Sequence, residues 1–280
     1  MHSVGPPPKD PLTEPGPWND VAVGYDEEAF GRLPGLTDAA IELLSPDKED
    51  TVLDVATGPG TLAVRLAPRV HRVVAIDFAE VMLERLRLHV MQKHLHNLEV
   101  RLMDGQQLLF SNASFDCAIS MFGLFLFDDR KRGLAELFRV VVPGGTVLFS
   151  SWATPDKNTL LGVGMEAIRA ALPDLPRPKG PLPTQDAGKC AAELRAAGFE
   201  RARTQLFKAS LEFASVADYW RGFERSAAPL ALLKMRLGEA AFAEAAVRIQ
   251  DELRARCGDG SFSLDCAAIF TCGEVPRSAA

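Results

Sequence analysis

The stretch Val52-Leu53-Asp54-Val55-Ala56-Thr57-Gly58-Pro59-Gly60 decides how this chain is read. A short β-branched and aliphatic run ends in an acidic residue and turns through a small, glycine-containing loop. The amphipathic segment Thr61-Leu62-Ala63-Val64-Arg65-Leu66-Ala67 follows with helical spacing. A strand that turns tightly into a helix N-terminus brings bare backbone N–H groups up to a ligand, because small residues put no side chain in the way. The pattern is that of a nucleotide-cofactor site.

Two readings compete for the loop. Gly58-x-Gly60-x-x-Ala63 satisfies a dinucleotide fingerprint, and Asp77 lies near the distance at which an acidic residue holds a ribose. The second reading starts upstream, with Asp54-x-Ala56-x-Gly58-x-Gly60. This resembles the first motif of class I S-adenosylmethionine (SAM) dependent methyltransferases, in which the first small position is usually glycine and here is Ala56. Alanine still leaves room for close backbone approach but removes conformational freedom. Asp54 favours the second reading, because a dinucleotide loop has no need of a carboxylate there.

Later segments support it in order. His71 to Phe78 reads as a second buried strand ending in Asp77, whose carboxylate can accept both hydroxyls of a ribose. The alternative is that Asp77 caps the following helix, with Glu80 completing a capping-box-like pair. Leu98 to Gly105 reads as a third strand. The resemblance places Asp104, Gly105 and Gln106 beside the adenine; by local chemistry alone Asp104-Gly105 is a turn. Phe115 to Ser120 reads as a fourth strand whose end faces the methionine half of the cofactor. Ser120, Met121 and Phe122 are therefore site candidates, although the aromatic run from Phe122 to Phe127 also suits a core. Val140 to Phe149 reads as a helix end, a Pro143-Gly144-Gly145 turn and a fifth strand, with no ligand assigned to the turn.

From about Trp18 to Trp152 the chain is similar to this family, closest to the small-molecule branch that contains ubiquinone- and menaquinone-biosynthesis methyltransferases. The resemblance implies an α/β fold with a Rossmann-like, mostly parallel seven-stranded sheet and flanking helices. It implies SAM as cofactor, held by Tyr25, Asp54, Ala56, Thr57, Gly58, Gly60, Asp77, Phe78, Met82, Asp104, Gly105, Gln106, Ser120, Met121 and Phe122. Tyr25 enters because an N-terminal aromatic commonly closes over the cofactor in such proteins; packing against the sheet edge is the alternative.

Composition agrees. A chain of 280 residues with 47% hydrophobic content buries a full core and leaves material for a substrate-covering element. The balance of 31 basic against 37 acidic residues gives a net charge of −6, which speaks against a nucleic-acid partner and for a small-molecule acceptor. Cys117, Cys190, Cys257, Cys266 and Cys272 form no metal-ligand or C-x-x-C pattern, so no metal is expected and a reducing, cytoplasmic compartment is. No signal peptide and no membrane span are read. Nothing in the chain fixes an oligomeric state.

Residues 1–17, rich in Pro and Gly, are expected to form a disordered tail. Residues 18–280 are expected to form one methyltransferase domain, starting with a helix from Thr37 to Leu44. After the fifth strand come a helix from Leu160 to Leu172 and a Pro-rich connection, then a helix from Ala187 ended by Gly198 and a strand from Arg201 to Phe213. Residues 214–257 read as a helical cap, with Ser215 as N-cap, before a last strand from Ser261 to Thr271. The apolar cap residues Trp220, Phe223, Leu230, Leu233, Met235 and Phe242 either line an acceptor pocket or hold the cap to the body.

The implied chemistry is an in-line displacement from a sulfonium, which asks mainly for alignment and exclusion of water. Alignment alone can supply about 7–11 kcal/mol, so a dedicated base is optional. His2, His71, His89, His94 and His96 all lie in the N-terminal third, away from the expected methyl group. Tyr219 is a conceivable acid or base, but packing explains it as well. No catalytic residue is named. An NAD(P)-dependent oxidoreductase using the Gly58–Ala63 loop and a non-catalytic SAM-binding protein stand as alternatives.

Overall fold

The computed structural model describes residues 9–176 and 182–277. Seven strands, β1 (Thr51–Val55), β2 (Arg72–Asp77), β3 (Leu98–Leu102), β4 (Phe115–Ser120), β5 (Val141–Trp152), β6 (Glu200–Phe213) and β7 (Phe262–Glu274), form one sheet. Its order is β3-β2-β1-β4-β5-β7-β6. All pairings from β3 to β5 are parallel, and β7 is antiparallel to both its neighbours.

Successive residues of a strand face opposite sides, and the core divides accordingly. Val52, Val73, Ala75, Cys117 and Ile119 join a cluster with Leu36, Ile41, Leu62, Leu66, Leu83 and Leu86. These come from helices α2 (Pro34–Leu44), α3 (Thr61–Leu66) and α4 (Glu80–Gln92). Leu53, Val74, Ile76, Ala118, Val147 and Phe149 face the other way, onto α5 (Arg130–Val140) and α7 (Ala187–Ala196). Because both faces are covered, the strands read as near-continuous aliphatic runs rather than alternating ones. Each large side chain buried here, such as Leu53, Ile76 or Phe149, contributes roughly 1.5–3 kcal/mol.

Three features differ from the sequence reading. Pro143-Gly144-Gly145 does not precede the fifth strand as a turn but lies inside it: β5 starts at Val141, and its register against β4 shifts between Phe115 and Cys117. Gly144 has a φ of 86°, and a Cβ on Gly145 would collide with the Asp116 carbonyl, so the glycines form a bulge. Residues 9–17, expected to belong to a disordered tail, are ordered. Asp10 caps a short turn at Pro11–Thr13, the Trp18 indole N–H donates to the Leu12 carbonyl (2.9 Å), and a helix α1 runs over Gly16–Arg32. Residues 1–8 lie outside the described part, as do residues 177–181 of the Pro-rich connection. Helix α1 itself is the third difference, because only α2 is expected between residues 18 and 50.

Residues 214–257 fold as α8 (Val216–Ser226), α9 (Ala228–Leu237) and α10 (Glu239–Cys257), between the end of β6 and the start of β7. The strand directions place both at the sheet edge where β1 and β4 end. Together with α6 (Thr159–Ala171) these helices share an apolar cluster of their own, around Tyr219, Trp220, Leu230, Phe242 and Ile249. Ser215 is the N-cap of α8, accepting from the Asp218 amide.

Helix α1 is clamped from two sides. Toward α4, the Asn19 side chain accepts from the Val81 amide (3.0 Å), and buried Asp26 accepts from Arg85 (2.7 Å) and contacts His89 (2.7 Å). Toward the cap, Arg225 pairs with Glu27, and Arg32 joins Glu28 to Asp218. Gly24 faces the end of α8 so closely that a Cβ would collide with the Arg225 carbonyl. Gly24→Ala therefore overpacks a backbone contact with no flexible side chain to yield, and is expected to cost about 1–3 kcal/mol. Urea titration of the purified variant checks this; an unchanged midpoint would show that the helices part freely.

Candidate functional site

The order of the sheet reverses between β1 and β4, whose C-terminal ends diverge into loops on opposite faces. That crevice is where open α/β sheets bind ligands. A cavity lies there, walled by the loops after β1, β2, β3 and β4 and roofed by α1 and α2.

The loop after β1 is shaped by its left-handed residues. Ala56 has φ 56°, Gly58 56° and Gly60 85°. For Gly58 and Gly60 such values cost nothing, whereas Ala56 adopts a region that L-residues other than Asn and Asp enter at a cost of about 1–3 kcal/mol. The turn is tied down by the Thr57 amide, which donates to the Ile76 carbonyl, and by the Thr57 hydroxyl, which donates to Asp54 Oδ2 (2.6 Å). The Gly58 amide donates to Asp77 Oδ2 (2.8 Å).

Asp54 and Asp77 are both buried at the cavity. Burial, with the Asp77 charge adding to it, pushes the Asp54 carboxyl up to about 7, against the favourable bond from Thr57. Its Oδ1 atom has no hydrogen-bond partner among the described residues. Burial likewise raises Asp77 to about 6, against the amides of Ala79 and Gly58. Tyr25, half-buried on α1, is pushed up to about 12 by desolvation and by the Asp77 charge. Asp104 and Asp128 also line the cavity, and no Lys, Arg or His does among the described residues. The site is acidic, without a cation of its own.

Of the residues nominated from the sequence, Tyr25, Asp54, Ala56, Thr57, Gly58, Asp77, Phe78, Met82, Asp104, Gly105, Gln106, Met121 and Phe122 line this one cavity. Gly60 and Ser120 do not. Gly60 is needed for packing, because a Cβ there would strike Leu86 of α4. Ser120 is fully buried beneath the loop, with its hydroxyl unpartnered. Asp77 makes no capping box: Ala79 is the N-cap of α4, and Glu80 pairs with Arg87. Asp104 does form a tight turn, its Oδ1 accepting from the Gln106 amide (2.8 Å), and this turn faces the cavity.

The cap does not supply the pocket wall. Trp220, Phe223, Leu230, Leu233, Met235 and Phe242 are all absent from the lining, and all but Met235 belong to the cap's own cluster. Tyr219 is withdrawn as an acid or base: it is buried, its hydroxyl donates to the Leu160 carbonyl (2.7 Å), and burial raises its pKa far above its ordinary value. His89, on α4, contacts the buried Asp26 and lies outside the cavity lining. The residues missed by the sequence reading come from the N-terminal helices and the loop after β4, among them Trp18, Leu33, Leu36, Thr37 and Phe127. The spacing Trp18-Val21-Ala22-Tyr25 was the available signal for α1.

The raised carboxyls predict the pH dependence of the ligand-free protein. Asp54 binds a proton more tightly folded (about 7) than unfolded (about 3.9), so its contribution to stability falls as pH rises between those values. Asp54→Asn removes that penalty while keeping an oxygen for Thr57. The variant is expected to melt about 3 °C or more above wild type at pH 8, ~1 kcal/mol being worth that much at this size, and the gap should close near pH 4. Differential scanning calorimetry across pH reads it; a variant less stable than wild type at pH 8 contradicts the assignment. Tyr219→Phe is expected to cost only about 1 kcal/mol, that of a lost hydrogen bond, with no change in ligand binding by calorimetry.

Comparison with known proteins was consistent with this geometry. A methyltransferase domain model matches residues 52–145, from β1 to the bulge in β5. A demethylmenaquinone methyltransferase from Deinococcus radiodurans is 30% identical over 191 residues, covering 62% of this chain and 75% of that protein. The ubiquinone/menaquinone biosynthesis C-methyltransferase UbiE of Citrifermentans bemidjiense is 32% identical over 120 residues, 41% of this chain and 51% of that protein; the chain thus spans about half the length of such relatives. Among solved structures, phosphoethanolamine N-methyltransferase 2 of Haemonchus contortus, in complex with SAM, superposes with a TM-score of 0.57 at 15% identity over 91% of this chain and 56% of that one. The acidic-ended strands, the glycine loop between them and these matches have one common meaning: the chain belongs to the class I SAM-dependent methyltransferases.

Proposed function

We propose that the protein transfers the methyl group of SAM to a small, largely apolar acceptor at oxygen, nitrogen or carbon. The observation that carries this is the acidic cavity at the β1–β4 switch point, where, among the described residues, one Asp54 oxygen has no partner and no basic residue joins the lining. Such a site suits a cationic ligand and disfavours the phosphates of a nicotinamide dinucleotide, since desolvated like charges repel. SAM, when bound, supplies an activated methyl group on a positively charged sulfur.

The residues divide the work. Asp77 would accept from ribose hydroxyls, and the Asp104–Gln106 turn would border the base. Asp54, with its second oxygen, would hold the ammonium of the amino-acid end, while the small residues of the loop after β1 let that end approach closely. Met121 and Phe122 after β4, with Leu36 of α2 and Leu33 just before it, give the remaining wall an apolar character suited to an uncharged acceptor. Helices α1 and α2 exclude water from the crevice. The reaction needs alignment more than proton transfer, in keeping with the absence of His and Lys from the lining among the described residues.

A cytoplasmic setting without nucleic-acid partners fits this reading. It is supported by five free cysteines and a net charge of −6. No helix among the described residues is long and apolar enough to cross a membrane.

Thermal unfolding with SAM, S-adenosylhomocysteine (SAH), NAD and NADP tests the proposal. A ligand at about one hundred times its Kd adds roughly 2.7 kcal/mol, so SAM and SAH should raise Tm and the nicotinamides should not; the reverse pattern would restore the dinucleotide reading. SAM affinity should also rise with pH between about 5 and 8, because binding a cation favours the ionised carboxyls of Asp54 and Asp77. Asp77→Asn, which keeps one acceptor for the loop amides, should weaken SAM by about tenfold or more through loss of charge-assisted bonds. Undiminished affinity in that variant would confine Asp77 to holding the loop. SAH release in the presence of an acceptor panel separates an enzyme from a non-catalytic binder.

A further inference from the structure

The loop after β1 departs from a glycine pattern at Ala56, and the structure shows a counterpart to that departure. Ala56 is left-handed (φ 56°), and its methyl group points at Gly123 in the loop after β4; a Cβ on Gly123 would collide with it. The residue before Gly123 is Phe122, itself left-handed (φ 55°), which a bulky aromatic does not adopt without support. Support is present on two sides. The Phe122 amide donates to the buried Ser150 hydroxyl (3.0 Å), and its ring stacks on Trp152 at the end of β5, centroids 3.8 Å apart and planes 14° from parallel.

Neither strained residue is explained by local chemistry, since Gly is the ordinary occupant of both conformations. Together they are explained by contact. With the Ala56 methyl seated over Gly123, the two loops that flank the switch point are held at a fixed separation. A glycine at 56 would leave a gap of one methyl group there, and any side chain at 123 would push the loops apart.

We propose that Ala56 and Gly123 are a size-matched pair of positioning residues that fixes Phe122 as the aromatic wall of the cavity. The methyl group belongs to one loop and the vacancy to the other, so the pair sets how far the cofactor loop lies from the wall formed by Phe122. The role of that wall toward an acceptor rests on the methyltransferase reading; the pairing itself rests only on the contacts above.

A four-member cycle tests the pair: wild type, Ala56→Gly, Gly123→Ala and the double variant. SAH binding is measured by calorimetry, and the Phe122–Trp152 stack by near-ultraviolet circular dichroism without ligand. Gly123→Ala should weaken SAH by about tenfold and alter the aromatic signal, while the double variant, with the methyl group moved across the contact, should recover to within about threefold. If Gly123→Ala does not fold but the double variant does, the pairing is established by that rescue. A Gly123→Ala protein indistinguishable from wild type, or a double variant no better than Gly123→Ala, overturns it. Absence of SAH binding by wild type would overturn the cofactor reading instead, leaving the spectra and folding of the four proteins to judge the pair.

Discussion

Two buried carboxylates facing a cavity that no Lys, Arg or His lines among the described residues are the constraint on which the rest of this structure turns. Taking such a group out of water costs several kcal/mol unless charge or hydrogen bonds offset it. The protein offsets it in part: Thr57 serves one oxygen of Asp54, and the amides of Gly58 and Ala79 serve Asp77. The other Asp54 oxygen is left without a partner. The residual cost raises both carboxyls well above the usual range, so that they keep their protons to higher pH than exposed aspartates do. A cation removes the need for them. At position 54 an amide would keep an acceptor for Thr57 without that cost, whereas at 77 it would set a donor against one of the two loop amides.

The same crevice needs a roof, and the roof is borrowed from a part of the chain that cannot stand alone. Helix α1 is bound into the fold through several neighbours rather than one. Val21 and Ala22 pack on Ala79 and Met82, while Trp18 and Tyr25 turn toward the cavity. It is held by polar clamps at both ends: Asn19 and Asp26 to α4, Glu27, Glu28 and Arg32 to α8. The cap thus acts at one remove. Its aromatic residues do not face the cavity; they build the platform against which α1 is set.

Much of this was legible in the sequence, for a physical reason. Strands buried on both faces must be aliphatic runs, and a ligand site at their C-terminal ends puts its polar residues right after those runs, as at Asp54, Asp77 and Asp104. Such information is local. What was hidden is not. The apolar residues of α1 are shared among cavity, α4 and cap, so no single stripe marks the helix, and Trp18 anchors the residues before it through the Leu12 carbonyl. Gly60 reads as a ligand glycine, yet what it accommodates is Leu86. Pro143-Gly144-Gly145 carries turn chemistry, and a bulge uses the same residues. Tyr219 shows the limit well, since a tyrosine whose hydroxyl is spent on a carbonyl looks in sequence like one free to titrate.

The arrangement also separates what the cavity must keep from what it can vary. The polar side is built on strand ends and their immediate turns, where a displacement would break several hydrogen bonds at once. The apolar side comes from α1, α2 and the loop after β4, which meet the sheet through side-chain packing rather than through ladders of backbone bonds. Packing of that kind accepts volume-conserving exchange at small cost. Changes in acceptor preference should therefore accumulate in Leu33, Leu36, Thr37, Met121 and Phe122, at the wall, and not among the cap aromatics, whose exchange would act only by moving α1. On the proposed reading, the cap would set how firmly α1 lies over the crevice, and the wall would set which acceptor it admits.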